Sequence, residues 1–182
     1  MCIRDSVTFV HVSLVPVMGP VGEQKTKPTQ HTVKELMGLG ITPDILVCRS
    51  SAPLNPETRA KLAAFCHVPE EAVISTHDVP NIYHVPLMLE AQGLCATLGL
   101  KVQPNGLLDD WRRMAHHLDA LEENVTIAMV GKYTDLSDAY LSVIKALQHA
   151  AMAADRKLTI DWLEAGELEH GVPDDVHADA WK

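Results

Sequence analysis

A nine-residue polar run at 22–30 (GEQKTKPTQ) most constrains the fold, because it separates a strand pattern from a helix pattern. Before it, Val7–Val15 is mostly apolar and rich in β-branched residues, which predicts a buried parallel strand. After it, apolar residues recur at helical spacing and predict a helix over Pro28–Leu39. A strand, a polar turn and a helix in this order are typical of an α/β protein.

The same run carries groups that can bind phosphate. Pro28 suits the first turn of a helix, where backbone N–H groups lack partners and attract anions. Lys25 and Lys27 add positive charge beside those groups, and Thr29 offers a hydroxyl. The run therefore predicts a site for a small anionic ligand, with a chance cluster of charges on a solvated face as the alternative.

Charge is unevenly distributed along the chain, whose 182 residues carry a net charge of −9. Residues 1–61 contain seven Lys and Arg against five Asp and Glu, whereas residues 62–182 contain eight against nineteen. The positive region is small and coincides with the polar run. It favours a local anion site and argues against broad nucleic-acid binding.

Further strand and helix patterns alternate along the first half of the chain. They predict strands at Ile45–Cys48 and Ala72–Ser75, and helices at Pro56–Cys66 and Val85–Gly93. This β–α–β–α–β order predicts a parallel sheet flanked by helices.

A linker and a second set of elements follow. Lys101–Gly106 contains Pro and Asn-Gly breakers, and the helix at Trp111–Leu121 is predicted to bridge two domains. A strand at Val125–Val130, a helix capped by Ser137 and a strand at Leu158–Leu163 then begin a second α/β unit. Because two strands and one helix bury little apolar surface, we expect this second domain to be cut short.

Composition and cysteine spacing indicate a soluble, cytoplasmic protein with no structural metal. No apolar stretch is long enough to span a membrane, and Met1–Ser6 is too short and polar for a signal peptide. The four cysteines lack metal-type spacing, which favours buried reduced thiols. His116 and His117 are adjacent, so they face different sides of a helix and cannot chelate one ion together.

Two segments approach catalytic motifs without matching them. Gly19–Thr26 follows a strand and ends in Lys-Thr, but no glycine directly precedes the lysine, so we reject it as an ATP phosphate loop. Gly93–Thr97 (GLCAT) departs from the Gly-x-Cys-x-Gly nucleophile turn at its last position, and no strand precedes it. We therefore interpret Cys95 as a packing residue.

Several blocks of sequence taken together carry a family resemblance. They are GEQKTKPTQHTVKELMGLGITPDILVCRS at 22–50, Phe65–Val68, Asp78-Val79 with Ile82-Tyr83, and IAMVGKYTDLSDAYLSVIKALQHA at 127–150. In content and order they closely resemble the CTP synthases, glutamine-dependent enzymes that aminate UTP, from about Val7 to Glu169. The hexapeptide KTKPTQ is highly specific for that family.

The resemblance implies a pyrimidine nucleotide site that binds UTP as substrate and CTP as inhibitor. The implied residues are Lys25, Thr26, Lys27, Pro28, Thr29, Gln30 and Lys61. The ATP site would retain an adenine-side contact at Val79, while the phosphate loop and the glutaminase Cys-His-Glu residues would lie outside this chain. The family also uses Mg²⁺ with ATP, without ligands in this chain, is activated by GTP, takes nitrogen from glutamine and forms homotetramers.

The resemblance also implies a domain order. Residues 1–6 would be a foreign or misassembled leader, 7–103 the later part of a P-loop-like amidoligase (synthetase) domain, 104–123 the interdomain linker and helix, and 124–182 the start of a flavodoxin-like class I glutaminase domain. Gly131–Thr134 would form the first strand-to-helix turn of the glutaminase domain.

We expect this fragment to be inactive alone; the alternative is a non-catalytic remnant that binds CTP or UTP or joins a full-length partner.

Overall fold

The computed structural model describes residues 7–100 and 107–168. The chain divides into two compact units, Met1–Ala115 and His116–Lys182. The predicted leader at 1–6, the predicted linker at 101–106 and Cys2 lie outside the described residues, as do residues 169–182. The domain boundaries inferred from the sequence stay predictions.

The described residues of the first unit form five strands, four complete helices and the first part of a fifth. In chain order they are β1 (Val10–Leu14), β2 (Val17–Met18), β3 (Glu23–Gln24), α1 (Lys27–Gly38), β4 (Ile45–Arg49), α2 (Pro56–Cys66), β5 (Val73–Thr76), α3 (Val85–Ala91), α4 (Leu94–Thr97) and α5 (Leu107–Asp119). Short 3₁₀ turns at Glu70–Ala72 and Ile82–His84 precede β5 and α3. The boundary between the units falls within α5.

Three parallel strands form the sheet of this unit, in the order β1–β4–β5. Val10 pairs with Ile45 and Leu46 with Val73, so β4 is central. The predicted parallel α/β arrangement is therefore confirmed. A small antiparallel hairpin of β2 and β3, which was not predicted from the sequence, comes between β1 and α1 along the chain.

The predicted burial of the first strand was wrong for alternate residues. Val12 and Leu14 keep 66% and 59% of their surface exposed, whereas Ser13 and Val15 are buried. Successive side chains of a strand point to opposite faces. One face of β1 packs against α1, and the opposite face, which carries Val12 and Leu14, is open.

Buried apolar side chains form one cluster around β4 and β5. Its largest fully buried members are Val15, Val33, Ile45, Leu46, Leu62, Val73 and Ile74. Each such side chain removed from water stabilises the fold by roughly 1.5–3 kcal/mol in transfer free energy. This cluster fixes α1 and α2 against the sheet and so fixes the loops that precede them.

The start and end of α2 follow from local chemistry. Asn55 caps the helix, because its side-chain oxygen accepts a hydrogen bond from the Thr58 amide at 2.7 Å. Pro56 occupies the first turn, as predicted, and His67 ends the helix in a left-handed conformation with φ of 57°.

The second unit contains β6 (Asn124–Gly131), α6 (Leu141–Ala153) and β7 (Lys157–Glu164), with 3₁₀ turns at Ser137–Tyr140 and Ala165–Leu168. The two strands are parallel and pair along their full length, which confirms both predicted strands. The predicted cap at Ser137 was wrong: the 3₁₀ turn comes first, and Tyr140 is the residue that precedes α6.

Among the described residues, no helix is long and apolar enough to cross a membrane.

Candidate functional site

A polar cleft lies between the β2–β3 hairpin and the first turns of α2. Its volume is about 520 Å³. One wall is formed by Val21, Gly22, Glu23, Gln24 and Thr26, and the other by Asn55, Glu57, Thr58 and Lys61. Two of the predicted binding residues, Thr26 and Lys61, therefore line one cavity although they are distant in sequence.

The hairpin explains why Gly19–Thr26 is not a phosphate loop. Val17 pairs with Gln24 and Met18 with Glu23, and the connecting turn uses positive φ at both Gly19 (71°) and Gly22 (70°). A phosphate loop joins a strand directly to a helix, whereas here a hairpin separates β1 from α1.

The two lysines of the polar run contact other residues of the protein, and neither is among the residues that line the cleft. Lys25 forms an ion pair with Glu23, with 2.6 Å between Nζ and the carboxylate oxygen. Lys27 places its Nζ 5.8 Å from the centre of the Phe65 ring, within range of a cation–π contact. Pro28, next along the chain, is exposed in the first turn of α1.

Thr26, Thr29 and Gln30 form hydrogen bonds within the protein. The buried Thr26 hydroxyl accepts a hydrogen bond from Gln30 Nε2 at 3.1 Å. Thr29 is fully buried; its hydroxyl accepts from Ser13 at 3.0 Å and donates to the Leu14 carbonyl at 3.2 Å. The side chain of Thr29 thus fastens α1 to β1, and a role in nucleotide binding stays a prediction for it and for the other residues of the set.

The cleft also includes residues that the sequence reasoning missed. Gln24 comes from the hairpin, while Asn55, Glu57 and Thr58 come from the start of α2. The Asn-Pro start of α2 was visible in the sequence. Nothing in the neighbouring sequence, however, indicated that the start of α2 faces the hairpin.

Val79 lies just beyond the carboxyl end of β5 and is half-buried. Its neighbour Asp78 pairs with Arg49, whose guanidinium also donates to the carbonyl oxygens of Ser50 and Thr76. Ligands of parallel α/β sheets bind at this end of the strands. The assignment of Val79 to an ATP site stays a prediction.

Cys48 and Cys66, in the described part of this unit, are packing residues. Burial raises the pKa of Cys48 to about 12, with a further rise from nearby Cys66, and burial also raises the pKa of Cys66. Both thiols are buried and free, as predicted. Cys95 is half-buried in the short helix α4, which follows Gly93 and no strand.

These observations define a parallel α/β protein with a polar, lysine-bearing cleft at the start of a helix. A family profile described as the CTP synthase N-terminus matches residues 2–103, more than half of the chain. The chain belongs to the CTP synthase family. The matched range begins within the six residues interpreted as a leader, and the position of 7–103 inside the synthetase domain stays a prediction.

Curated relatives agree with the family assignment. CTP synthase 1 of Homo sapiens is 49% identical over 172 residues, covering 91% of this chain and 29% of that protein. The CTP synthase of Dictyostelium discoideum is 47% identical over 184 residues, with 91% and 32% coverage. That of Pyrococcus furiosus is 52% identical over 172 residues, with 92% and 32% coverage. The chain thus spans about a third of the length of these relatives.

Proposed function

We propose that this chain supplies the pyrimidine nucleotide site of a CTP synthase, which aminates UTP to CTP with ATP and glutamine-derived ammonia. The observation that supports this most directly is the cleft in which Thr26 of the KTKPTQ run lies opposite Lys61. A cleft with an ammonium group and hydroxyl and amide groups suits a polyphosphate attached to a polar base.

The chain's own residues would hold the nucleotide rather than perform the amination. Lys61 would give charge-assisted hydrogen bonds to the phosphates. Lys25, paired with the cleft-lining Glu23, and Lys27 would add positive charge. Two carboxylates, Glu23 and Glu57, are among the residues that line the cleft, and Glu23 is already paired with Lys25. The Mg²⁺ that accompanies ATP in the family would be held by residues outside this chain.

The rest of the reaction would depend on other parts of the enzyme. Val79 would contact the adenine side of ATP, and the second unit would begin a flavodoxin-like glutaminase domain that releases ammonia from glutamine. A P-loop-like amidoligase core, activation by GTP and a homotetramer complete the proposal. Each of these rests on the family resemblance.

Binding of UTP and CTP to the purified chain tests the site. We expect Lys61→Ala to weaken the binding of both nucleotides roughly ten- to a hundredfold in calorimetric titrations, because one charge-assisted contact is worth about 1.5–3 kcal/mol. Lys34→Ala, on the exposed face of α1, is the matched control and should bind like the parent chain. Equal affinities in the two variants would contradict the assignment of Lys61.

A further inference from the structure

Gln24 joins the two walls of the cleft. Its Nε2 donates a hydrogen bond to the Pro53 carbonyl at 2.7 Å, and its Oε1 accepts one from the Asn55 amide at 3.0 Å. The side chain starts on β3 and ends on the loop that precedes α2. Each end of the primary amide therefore contacts backbone on the opposite wall.

The loop that Gln24 contacts sets where α2 begins. Leu54 donates its amide to Ser75 Oγ at 3.0 Å, and Asn55 caps the helix through Thr58. Gln24 and Ser75 thus bind adjacent residues of this loop from different elements. Asn55 and Thr58 line the cleft, and so does Lys61, one turn further along α2.

We propose that Gln24 is a positioning residue for the pyrimidine nucleotide cleft: it holds α2, and with it Lys61, at the correct distance from the hairpin. This inference rests on the proposed function of the cleft. Gln24 lines the cavity but uses both ends of its amide on the protein, so it acts on the ligand through the opposite wall. Small errors in the placement of a binding group are costly, since a phosphate contact depends on distance and direction.

Two substitutions separate this role from simple loss of packing. Gln24→Met keeps the length of the side chain and removes both hydrogen bonds. Gln24→Glu keeps an acceptor for the Asn55 amide and faces the Pro53 carbonyl with an anion instead of a donor. Gln148→Met is the matched control, because Gln148 is also half-buried and hydrogen-bonded, on α6 of the second unit.

The test measures the dissociation constant for CTP, the thermal midpoint and hydrogen exchange at the Asn55 amide, all on the purified chain. We expect Gln24→Met to bind CTP about three- to tenfold more weakly than the parent, with faster exchange at Asn55 and a thermal midpoint close to that of the control. Gln24→Glu should bind CTP more weakly still, because its carboxylate also adds negative charge to the cleft. A merely structural role would lower the midpoint and leave the affinity of the folded protein unchanged.

The outcomes distinguish this inference from the proposed function. Parent-like affinity in Gln24→Met, with CTP bound by the parent chain, would overturn the positioning role alone. Failure of the parent chain to bind either CTP or UTP would overturn the proposed function and the role of Gln24 together.

Discussion

The Ser13 hydroxyl donates a hydrogen bond to the Thr29 hydroxyl at 3.0 Å in the buried seam between β1 and α1. The Thr29 hydroxyl in turn donates a hydrogen bond to the Leu14 carbonyl at 3.2 Å. Thr32 also approaches Ser13, with 3.3 Å between the hydroxyl oxygens. This polar seam fixes α1 on the strand and leaves the start of the helix beside the cleft.

Replacing Thr29 by valine should therefore destabilise the fold. Thr29→Val keeps the shape and removes the hydrogen bonds of the Thr29 hydroxyl with Ser13 and the Leu14 carbonyl, while Ser13 keeps its longer contact with Thr32. This loss should lower the free energy of unfolding by about 1–3 kcal/mol. Urea denaturation of the purified chain measures the change. In a double-mutant cycle, Ser13→Ala should cost less in the Thr29→Val background than alone; strict additivity would show that the two hydroxyls do not interact.

The ion pair of Glu23 and Lys25 should weaken the attraction of the cleft for anions. Glu23→Gln removes a negative charge from the cavity lining and releases the Lys25 ammonium. We expect CTP to bind roughly two- to fivefold more tightly, with little change in stability, because exposed ion pairs contribute only about 0–1 kcal/mol. The gain should shrink at high salt.

Glu35→Gln is the control for that experiment, since it removes the same charge from an exposed position on α1. Weaker CTP binding in Glu23→Gln would show that Glu23 contributes a contact to the nucleotide instead of competing for Lys25.

The local sequence pattern was enough to predict most helices and strands but not the tertiary contacts between them. Apolar periodicity and the Asn-Pro start located the strands and α2 to within a few residues. The burial of Val12 depends on whether a neighbour covers its face of the sheet, which no pattern within β1 records. The two-residue strands β2 and β3 are too short to produce a periodic pattern.

The candidate site was predictable only in part for a similar reason. The KTKPTQ run indicated a site that binds anions. Thr26 lines the cleft and Thr29 lies in the interior, however, because of the way α1 is rotated about its own axis against the sheet. The contribution of Gln24 depends on a contact with Pro53, which is distant in sequence. Such contacts follow from tertiary packing.

Thiol reactivity should follow burial. At pH 8, iodoacetamide should modify Cys95 well before Cys48 or Cys66, because the pKa of each buried thiol is raised and reagent access is blocked. Mass spectrometry of the separate cysteine peptides measures the three rates. In denaturant the rates should converge; fast modification of Cys48 in the folded chain would contradict its buried position.

The same raised pKa values predict a loss of stability at alkaline pH. The folded-state pKa of Cys48 is about 12 against an ordinary value of 9.0, so above pH 9 the unfolded chain releases a proton that the folded chain retains. This contribution is complete below pH 9 and is lost as pH rises towards 12. Urea denaturation between pH 8 and pH 11 should show a smaller decline for Cys48→Ala than for the parent chain.

Gly131 illustrates a requirement that only the structure reveals. It ends β6, and a Cβ atom there would lie 2.5 Å from the Tyr140 hydroxyl oxygen and 2.9 Å from the adjoining ring carbon. That hydroxyl accepts a hydrogen bond from the Lys132 amide at 3.0 Å and donates one to the Lys132 carbonyl at 2.5 Å. The Tyr140 ring also meets Trp162 edge to face, with 5.4 Å between centroids.

Gly131→Ala must therefore displace Tyr140 and break both of its hydrogen bonds. We expect the free energy of unfolding of the second unit to fall by about 2 kcal/mol or more, with a weaker near-ultraviolet circular dichroism signal from the Tyr140–Trp162 pair. Gly166→Ala is the control: among the described residues, apart from its chain neighbours, no atom lies within 4 Å of its added methyl group, so its effect should stay within about 0.5 kcal/mol. If the two variants were equally stable, the displacement of Tyr140 would cost no free energy of unfolding. The turn at Gly131–Thr134 would then not depend on the Tyr140 hydroxyl.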